Sequence, residues 1–197
     1  NKNLNFIPMT NGFCDFYKRE ETDLNTKICN NSYELRKNKI LEKKSGIIVI
    51  YLNHKNKLSK LEINTFLKEI KDFLGLGYKI IFIYPIPELE QSVSVKIDKI
   101  FKISKDNLKN YLNNYENYVS IDYLKFQKKS EHIFKILSSV NHENLYSIYP
   151  HKIFCKKNKC IGHDKNDIFY IDNLHLSKMG SILINKEILK IVNKIYK

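Results

Sequence analysis

The architecture of this chain follows from one apolar run, Ile47-Ile48-Val49-Ile50-Tyr51-Leu52. A continuous run rich in β-branched residues is typical of a strand that is covered on both faces. Ser59 then caps a predicted helix that ends at Leu74, and a second apolar run covers residues 78–84. A strand, a helix and a strand joined by short links form a βαβ unit. The two strands should therefore be parallel neighbours with a right-handed crossover.

The sequence on both sides of this unit predicts further elements of the same kind. Residues 88–105 are poorly periodic and are left unassigned. The other predicted elements are a strand at 4–9, a helix at 33–43 capped by Asn31 or Ser32, helices at 106–118 and 121–140, a strand at 145–149 and a final helix at 178–195. We expect one α/β domain of 197 residues, with a mainly parallel sheet between two layers of helices.

The net charge of +13 raises the question of nucleic-acid binding. Only Arg19 and Arg36 are arginines, and the remaining basic residues are lysines spread along the whole chain. Lysine lacks the planar fork that suits bidentate phosphate and base contacts. The charge therefore favours a solvated surface that attracts acidic glycans or anionic lipid head groups, and we expect no nucleic-acid partner. No apolar run is long enough to predict a membrane span.

The four cysteines form two local pairs, Cys14 with Cys29 and Cys155 with Cys160. An even number of cysteines placed in loops predicts two disulfides and an oxidising compartment. One alternative is four reduced thiols in a cytosolic protein. Another is a zinc site near the end of the chain. Its ligands would be Cys155, Cys160, His163 and His175.

A second informative stretch is Tyr170-Ile171-Asp172-Asn173-Leu174-His175-Leu176-Ser177-Lys178-Met179-Gly180. Asp172 and His175 are three residues apart at a turn, so their side chains can meet. The carboxylate could accept the Nδ1 proton and fix the imidazole tautomer, which leaves Nε2 to take a proton from a nucleophile. Ser177 is the predicted N-cap of the last helix. The alternative is an exposed pair at a helix entrance, favoured there by the helix dipole.

This stretch resembles the last motif of SGNH (GDSL-type) hydrolases. It most resembles the SGNH domain fused to membrane acyltransferase-3 (OafA-like) proteins, which O-acetylate cell-surface polysaccharides. The proline-bearing strand end at residues 84–87 and the two cysteine pairs extend the resemblance. It implies an SGNH-hydrolase, flavodoxin-like fold and a Ser-His-Asp triad in which His175 and Asp172 are catalytic. It implies no metal and no diffusible cofactor.

The family places its nucleophile in a Gly-Asp-Ser block after the first strand, and this sequence contains no such block. We therefore expect residues 1–197 to form a single SGNH-like domain that lacks its first strand and nucleophile block, and to be inactive alone. Asn53 falls where the family has an oxyanion-hole residue, although Gly-x-Asn-Asp is absent. His163 is expected to be an exposed loop residue without a role.

Ligands of open parallel sheets bind beyond the carboxyl ends of the strands. The segments after Leu52 and Tyr84 and the turn at Asp172 should therefore converge on one edge of the sheet.

The resemblance implies acyl transfer or ester chemistry, with an acetyl group moved to a surface sugar of lipopolysaccharide or peptidoglycan type. The partners would be a glycan acceptor, an acyl donor and an N-terminal membrane domain that tethers this domain outside the cytoplasm. Two other functions remain open. One is a basic, zinc-stabilised module without enzymatic activity that binds nucleic acid, and the other is an SGNH-like domain that binds glycan without catalysis.

Overall fold

The computed structural model of the chain describes residues 23–55, 57–103, 105–114 and 118–197. The predicted strand at 4–9 lies outside the described residues, as does Cys14. In chain order the elements are α1 Leu24–Leu41, β1 Ile47–Tyr51, α2 Lys60–Gly75, β2 Lys79–Ile83, α3 Val93–Ile103, α4 Lys105–Asn113, β3 Ser120–Asp122, α5 Tyr123–Ser138, β4 Leu145–Ile148, α6 His151–Phe154, β5 Cys155–Lys156, β6 Lys159–Ile161 and α7 Lys178–Ile195.

The chain divides into two compact units. Within its described part, the first comprises residues 23–50, 57–80 and 140–145. The second comprises residues 51–55, 81–139 and 146–197, apart from the gaps already given. Every residue of the candidate site described below belongs to the second unit.

The main sheet has three strands in the order β1-β2-β4. The Ile80 amide donates to the Asn144 carbonyl at 2.9 Å and the Tyr84 amide donates to the Ile148 carbonyl at 3.0 Å. The partner number rises along both strands, which is the pattern of a parallel pair. The central strand β2 is apolar and fully buried over residues 80–82. The predicted pairing of β1 with β2 and the mixed α/β fold with a parallel sheet are therefore confirmed.

The predicted starts of helices α1 and α2 differ in outcome. Helix α2 begins after Ser59 as predicted, because Ser59 and Glu62 form a reciprocal capping box. Helix α1 begins at Leu24, well before the predicted start near Asn31 or Ser32. Asp23 is its N-cap: Thr26 N donates to Asp23 Oδ1 at 2.8 Å, and Asp23 N donates to Thr26 Oγ1 at 3.1 Å. The Asp-x-x-Thr box differs from the usual capping box, because Thr26 stands where Glu or Gln is typical.

A small antiparallel sheet, β3-β6-β5, was not predicted. The predicted helix at 121–140 begins only at Tyr123, because residues 120–122 pair with β6 and Asp122 caps α5 by accepting from Lys125 N at 3.0 Å. The predicted cysteine loop is a hairpin in which Cys155 and Cys160 are opposite each other. The unassigned segment at 88–105 contains α3.

Cys155 and Cys160 form a disulfide, which confirms the predicted pairing. Cys29 is disulfide-bonded as well, and its predicted partner Cys14 lies outside the described residues. Oxidised cysteines are not available as thiolate ligands, so the zinc alternative loses two of its four ligands. Within the part of the chain that the structure describes, no group of three or more His, Cys, Asp or Glu residues is arranged to hold a metal. None of the described helices combines the length and apolar character needed to cross a bilayer.

Candidate active site

The Asp172–His175 turn is closed by backbone hydrogen bonds at both ends. Tyr170 and Leu176 form an antiparallel bridge, and Ile171 N donates to the His175 carbonyl at 2.8 Å. Tyr170 is fully buried beneath the turn, whereas the His175 side chain is 73 % exposed. The backbone of the turn is therefore held in place, and the imidazole projects from it into solvent.

The two carboxylate oxygens of Asp172 have different partners. Oδ1 accepts from the backbone amides of Leu174 and His175, each at 2.7 Å. Oδ2 lies 2.7 Å from His175 Nδ1. An ionised carboxylate only accepts hydrogen bonds, so Nδ1 carries the proton and Nε2 is the ring nitrogen with a lone pair. The contact expected from the spacing is present, and the catalytic role of both residues stays a prediction.

The pKa of Asp172 reflects two opposing effects. Partial burial raises this pKa. Hydrogen bonds from the backbone and ring of His175 and from the Leu174 amide lower it by more than burial raises it. The net result is a pKa of about 2. Asp172 is therefore ionised at neutral pH, which is the state that stabilises an imidazolium next to it.

Helix α7 supports the turn from its C-terminal side. Ser177 caps the helix by accepting from Gly180 N at 3.1 Å, as predicted, and its hydroxyl donates to the Ile168 carbonyl. A Cβ atom added at Gly180 would lie 2.1 Å from the Phe169 carbonyl oxygen. The first turn of α7 therefore packs directly against the backbone before the Asp172–His175 turn, and only glycine fits at this position.

Glu88 brings three separated segments of the chain together. His54 Nε2, after β1, donates to Glu88 Oε2 at 3.0 Å, and Lys55 Nζ reaches Oε1 at 2.7 Å. Asn173, inside the Asp172–His175 turn, donates from Nδ2 to Oε1 at 3.4 Å, and Lys129 Nζ lies 3.8 Å from Oε2. The loop after β1, the segment after β2 and the turn at Asp172 therefore meet, as the parallel-sheet rule predicts.

Asn53, the predicted oxyanion residue, begins the loop that Glu88 contacts. Its Oδ1 accepts from Lys55 N at 3.1 Å. This contact turns the oxygen of the amide towards its own loop and fixes the orientation of the side chain. An oxyanion requires a donor, so the amide nitrogen is the atom that the predicted role needs. The role itself remains a prediction.

The sequence analysis did not single out Glu88, and it was wrong about His163. Glu88 lies in the segment that follows β2, which the parallel-sheet rule placed at this edge of the sheet, so that rule pointed to its position but not to its side chain. His163 is fully buried rather than exposed. Its Nε2 accepts from Val119 N at 3.2 Å, and burial lowers the pKa of the ring. His163 is therefore a structural residue that holds the backbone at Val119, directly before β3.

Comparisons with known proteins identify the family and the fold of this chain. The model of the family described as an SGNH domain fused to AT3 domains matches residues 2–190. Among solved structures, the periplasmic domain of the lipopolysaccharide acetyltransferase of Salmonella ser. Paratyphi A is similar in fold, with a TM-score of 0.58 and 22% sequence identity. The similarity covers 93% of this chain and 68% of that one. No curated protein matches the sequence. Because the family match spans nearly the whole chain, this protein belongs to the family of SGNH domains fused to AT3 domains.

Proposed function

We propose that this chain supplies the general base and its orienting acid for an acyl-transfer reaction. His175 accepts a proton through Nε2 from an attacking hydroxyl, and Asp172 holds the Nδ1 proton and stabilises the resulting imidazolium. The single observation that carries the proposal is the Asp172 carboxylate, fixed by two backbone amides on one oxygen and bonded to His175 Nδ1 by the other.

The reaction has two halves. A serine hydroxyl attacks the acyl carbon, its proton moves to His175 Nε2, and the donor leaves with that proton. A sugar hydroxyl then attacks the acyl-serine, His175 accepts its proton, and the same proton passes from His175 to the departing serine oxygen. The Asn53 amide nitrogen donates to the oxyanion in both halves. Because no Gly-Asp-Ser occurs in this sequence, we place the serine in sequence outside it, and we expect residues 1–197 alone to be inactive.

We propose that the acceptor is a polysaccharide of the cell surface and the transferred group an acetyl. The fold neighbour is the periplasmic domain of a lipopolysaccharide acetyltransferase, and members of the family are fused to AT3 domains. The Cys155–Cys160 disulfide supports a location outside the cytoplasm, where disulfides form and persist. Tethering would come from the AT3 partner, which also delivers the acyl group.

The test uses the intact protein, with this domain joined to its AT3 domain, in cells whose surface polysaccharide is analysed for O-acetyl groups. His175→Ala should lower O-acetylation at least about 100-fold at equal protein level, because it removes the base. His132→Ala is the matched control, since His132 is an exposed histidine on α5 outside the site. Unchanged O-acetylation in His175→Ala would contradict the proposal, as would an equal loss in both variants.

A further inference from the structure

We propose that Glu88 is a positioning residue: its carboxylate holds the Asn53–Lys55 loop and the Asp172–His175 turn in one fixed arrangement. The effect on catalysis rests on the proposed function. The structural part does not, since it concerns which groups one carboxylate holds together.

The first support is that Glu88 receives donors from both sides of the site. His54 Nε2 and Lys55 Nζ belong to the loop that carries Asn53, and Asn173 lies between Asp172 and His175. A single side chain therefore reaches both segments. Its two oxygens have different partners. Oε1 contacts Lys55 Nζ and Asn173 Nδ2, and Oε2 accepts from His54 Nε2.

The second support comes from burial. The Glu88 side chain is 14 % exposed and the His54 side chain 7 %. His54 Nδ1 is buried and has no hydrogen-bond partner in the part of the chain that the structure describes. The contact from Nε2 to Glu88 is therefore the bond that satisfies this ring, and its loss would leave a buried imidazole unpaired. Burial raises the pKa of Glu88, but the contacts with Lys55 and His54 lower it by more than burial raises it. The net pKa is below its usual value, so the carboxylate is ionised.

The third support is that the backbone after Glu88 also binds the turn. Leu89 N donates to the Asn173 carbonyl at 2.8 Å, and Val93 N donates to the Asp172 carbonyl at 3.4 Å. A Cβ atom added at Gly162 would lie 2.3 Å from Leu89 Cδ1 and 2.6 Å from Val93 Cγ2. Residues 88–93 are therefore packed in place, and Glu88 projects from a fixed segment.

Catalysis needs this arrangement because base and oxyanion donor must act on the same acyl group. A misplacement of about 1 Å can cost on the order of 100-fold in rate. A group that only positions others should change kcat and leave KM nearly unchanged, since it does not touch the substrate.

The structural test is NMR spectroscopy of this 197-residue chain labelled with ¹⁵N. Glu88→Gln should shift the ring signals of His54 and the amide signals of Leu174 and His175. Glu90→Gln is the matched control, because Glu90 is an exposed glutamate two residues away that pairs with Lys125 at 2.9 Å. Glu88→Gln spectra that superimpose on those of the wild type at these signals would overturn the proposal.

The kinetic test uses the intact protein and acetyl transfer. Glu88→Gln should lower kcat about 10- to 100-fold with KM changed less than about twofold, and Glu90→Gln should change neither. Asn173→Ala should lower kcat in the same direction. The double variant should be no slower than Glu88→Gln, because both substitutions break one link. Independent, additive losses or a rise confined to KM would overturn the proposal.

Two further outcomes are distinguishable. If Glu88→Gln does not fold, as judged by circular dichroism, Asn173→Ala removes only the turn side of the link and takes over both tests. If transfer by the intact protein proves independent of His175, the proposed function fails. The NMR comparison still decides whether Glu88 links the two segments.

Discussion

At the scale of the residue, the main observation is that a partly exposed carboxylate is immobilised by its own turn. Asp172 accepts from two backbone amides within three residues, and so its second oxygen can only face His175. The i to i+3 spacing in the sequence predicted the side-chain contact. It could not predict the two amide contacts, because they depend on the backbone angles of Asn173 and Leu174.

Two buried histidines, His54 and His163, and the half-buried His151 should make the protein sensitive to mild acid. Burial lowers the pKa of His54, His151 and His163 below 6.5. The unfolded chain therefore binds more protons than the folded one once the pH falls below about 6.5, and stability falls with it. Each ring that stays neutral in the folded protein lowers the free energy of unfolding by up to about 1.4 kcal/mol per pH unit. Urea unfolding at pH 7.5 and 5.5 measures this loss.

His163 is the residue with which to separate this effect from that of the carboxylates. His163→Gln keeps an acceptor near Val119 N but no longer titrates, so its stability should depend less on pH between 7.5 and 5.5. Carboxylates such as Asp172, with a pKa of about 2, lose their contribution only at much lower pH. Equal stability of the wild type at both pH values would contradict the explanation.

At the scale of the element, the packing of α7 depends on one glycine. Gly180→Ala should destabilise the fold by about 1–3 kcal/mol, because its Cβ meets the Phe169 carbonyl oxygen and the helix must shift. Gly75→Ala is the control: Gly75 lies in α2 and its added Cβ meets nothing within 4 Å. That substitution should be neutral or stabilising, since alanine is the better helix former. Urea unfolding of both variants gives the comparison, and equal effects would refute it.

The β5–β6 hairpin depends on its disulfide. Cys155 and Cys160 are opposite each other, and the loop that they close is short. In the chain-entropy model, a loop of this length stabilises the fold by about 2 kcal/mol. The double variant Cys155→Ser, Cys160→Ser should therefore have a free energy of unfolding lower by about 2 kcal/mol, measured by urea unfolding. If the variant were as stable as the oxidised wild type, the bond would have no structural role.

Long amphipathic elements could be predicted from the sequence, and short ones could not. The helix that begins after Ser59 and the helix Lys178–Ile195 were predicted correctly, because each has several turns of periodic apolar residues. Strands β3, β5 and β6 have two or three residues each, and such segments carry no readable period. Their pairing is set by tertiary contacts and by the disulfide.

At the scale of the whole molecule, the candidate site follows from one rule of topology. The carboxyl ends of parallel strands gather their loops at one edge, and this predicted that the segments after β1 and β2 would meet the turn at Asp172. The rule gives segments and not side chains. The central place of Glu88 emerges only when His54 and Asn173 are seen to share one carboxylate.

The most direct test of the central claim is the rate of acetyl transfer by the intact protein carrying Asp172→Asn. An asparagine keeps the size of the side chain but cannot stabilise the imidazolium or hold Nδ1–H as a carboxylate does. We expect kcat to fall about 10³- to 10⁴-fold, as for a triad whose acid is replaced by its amide. A kcat within about twofold of the wild type would contradict the claim that Asp172 prepares His175 to accept a proton.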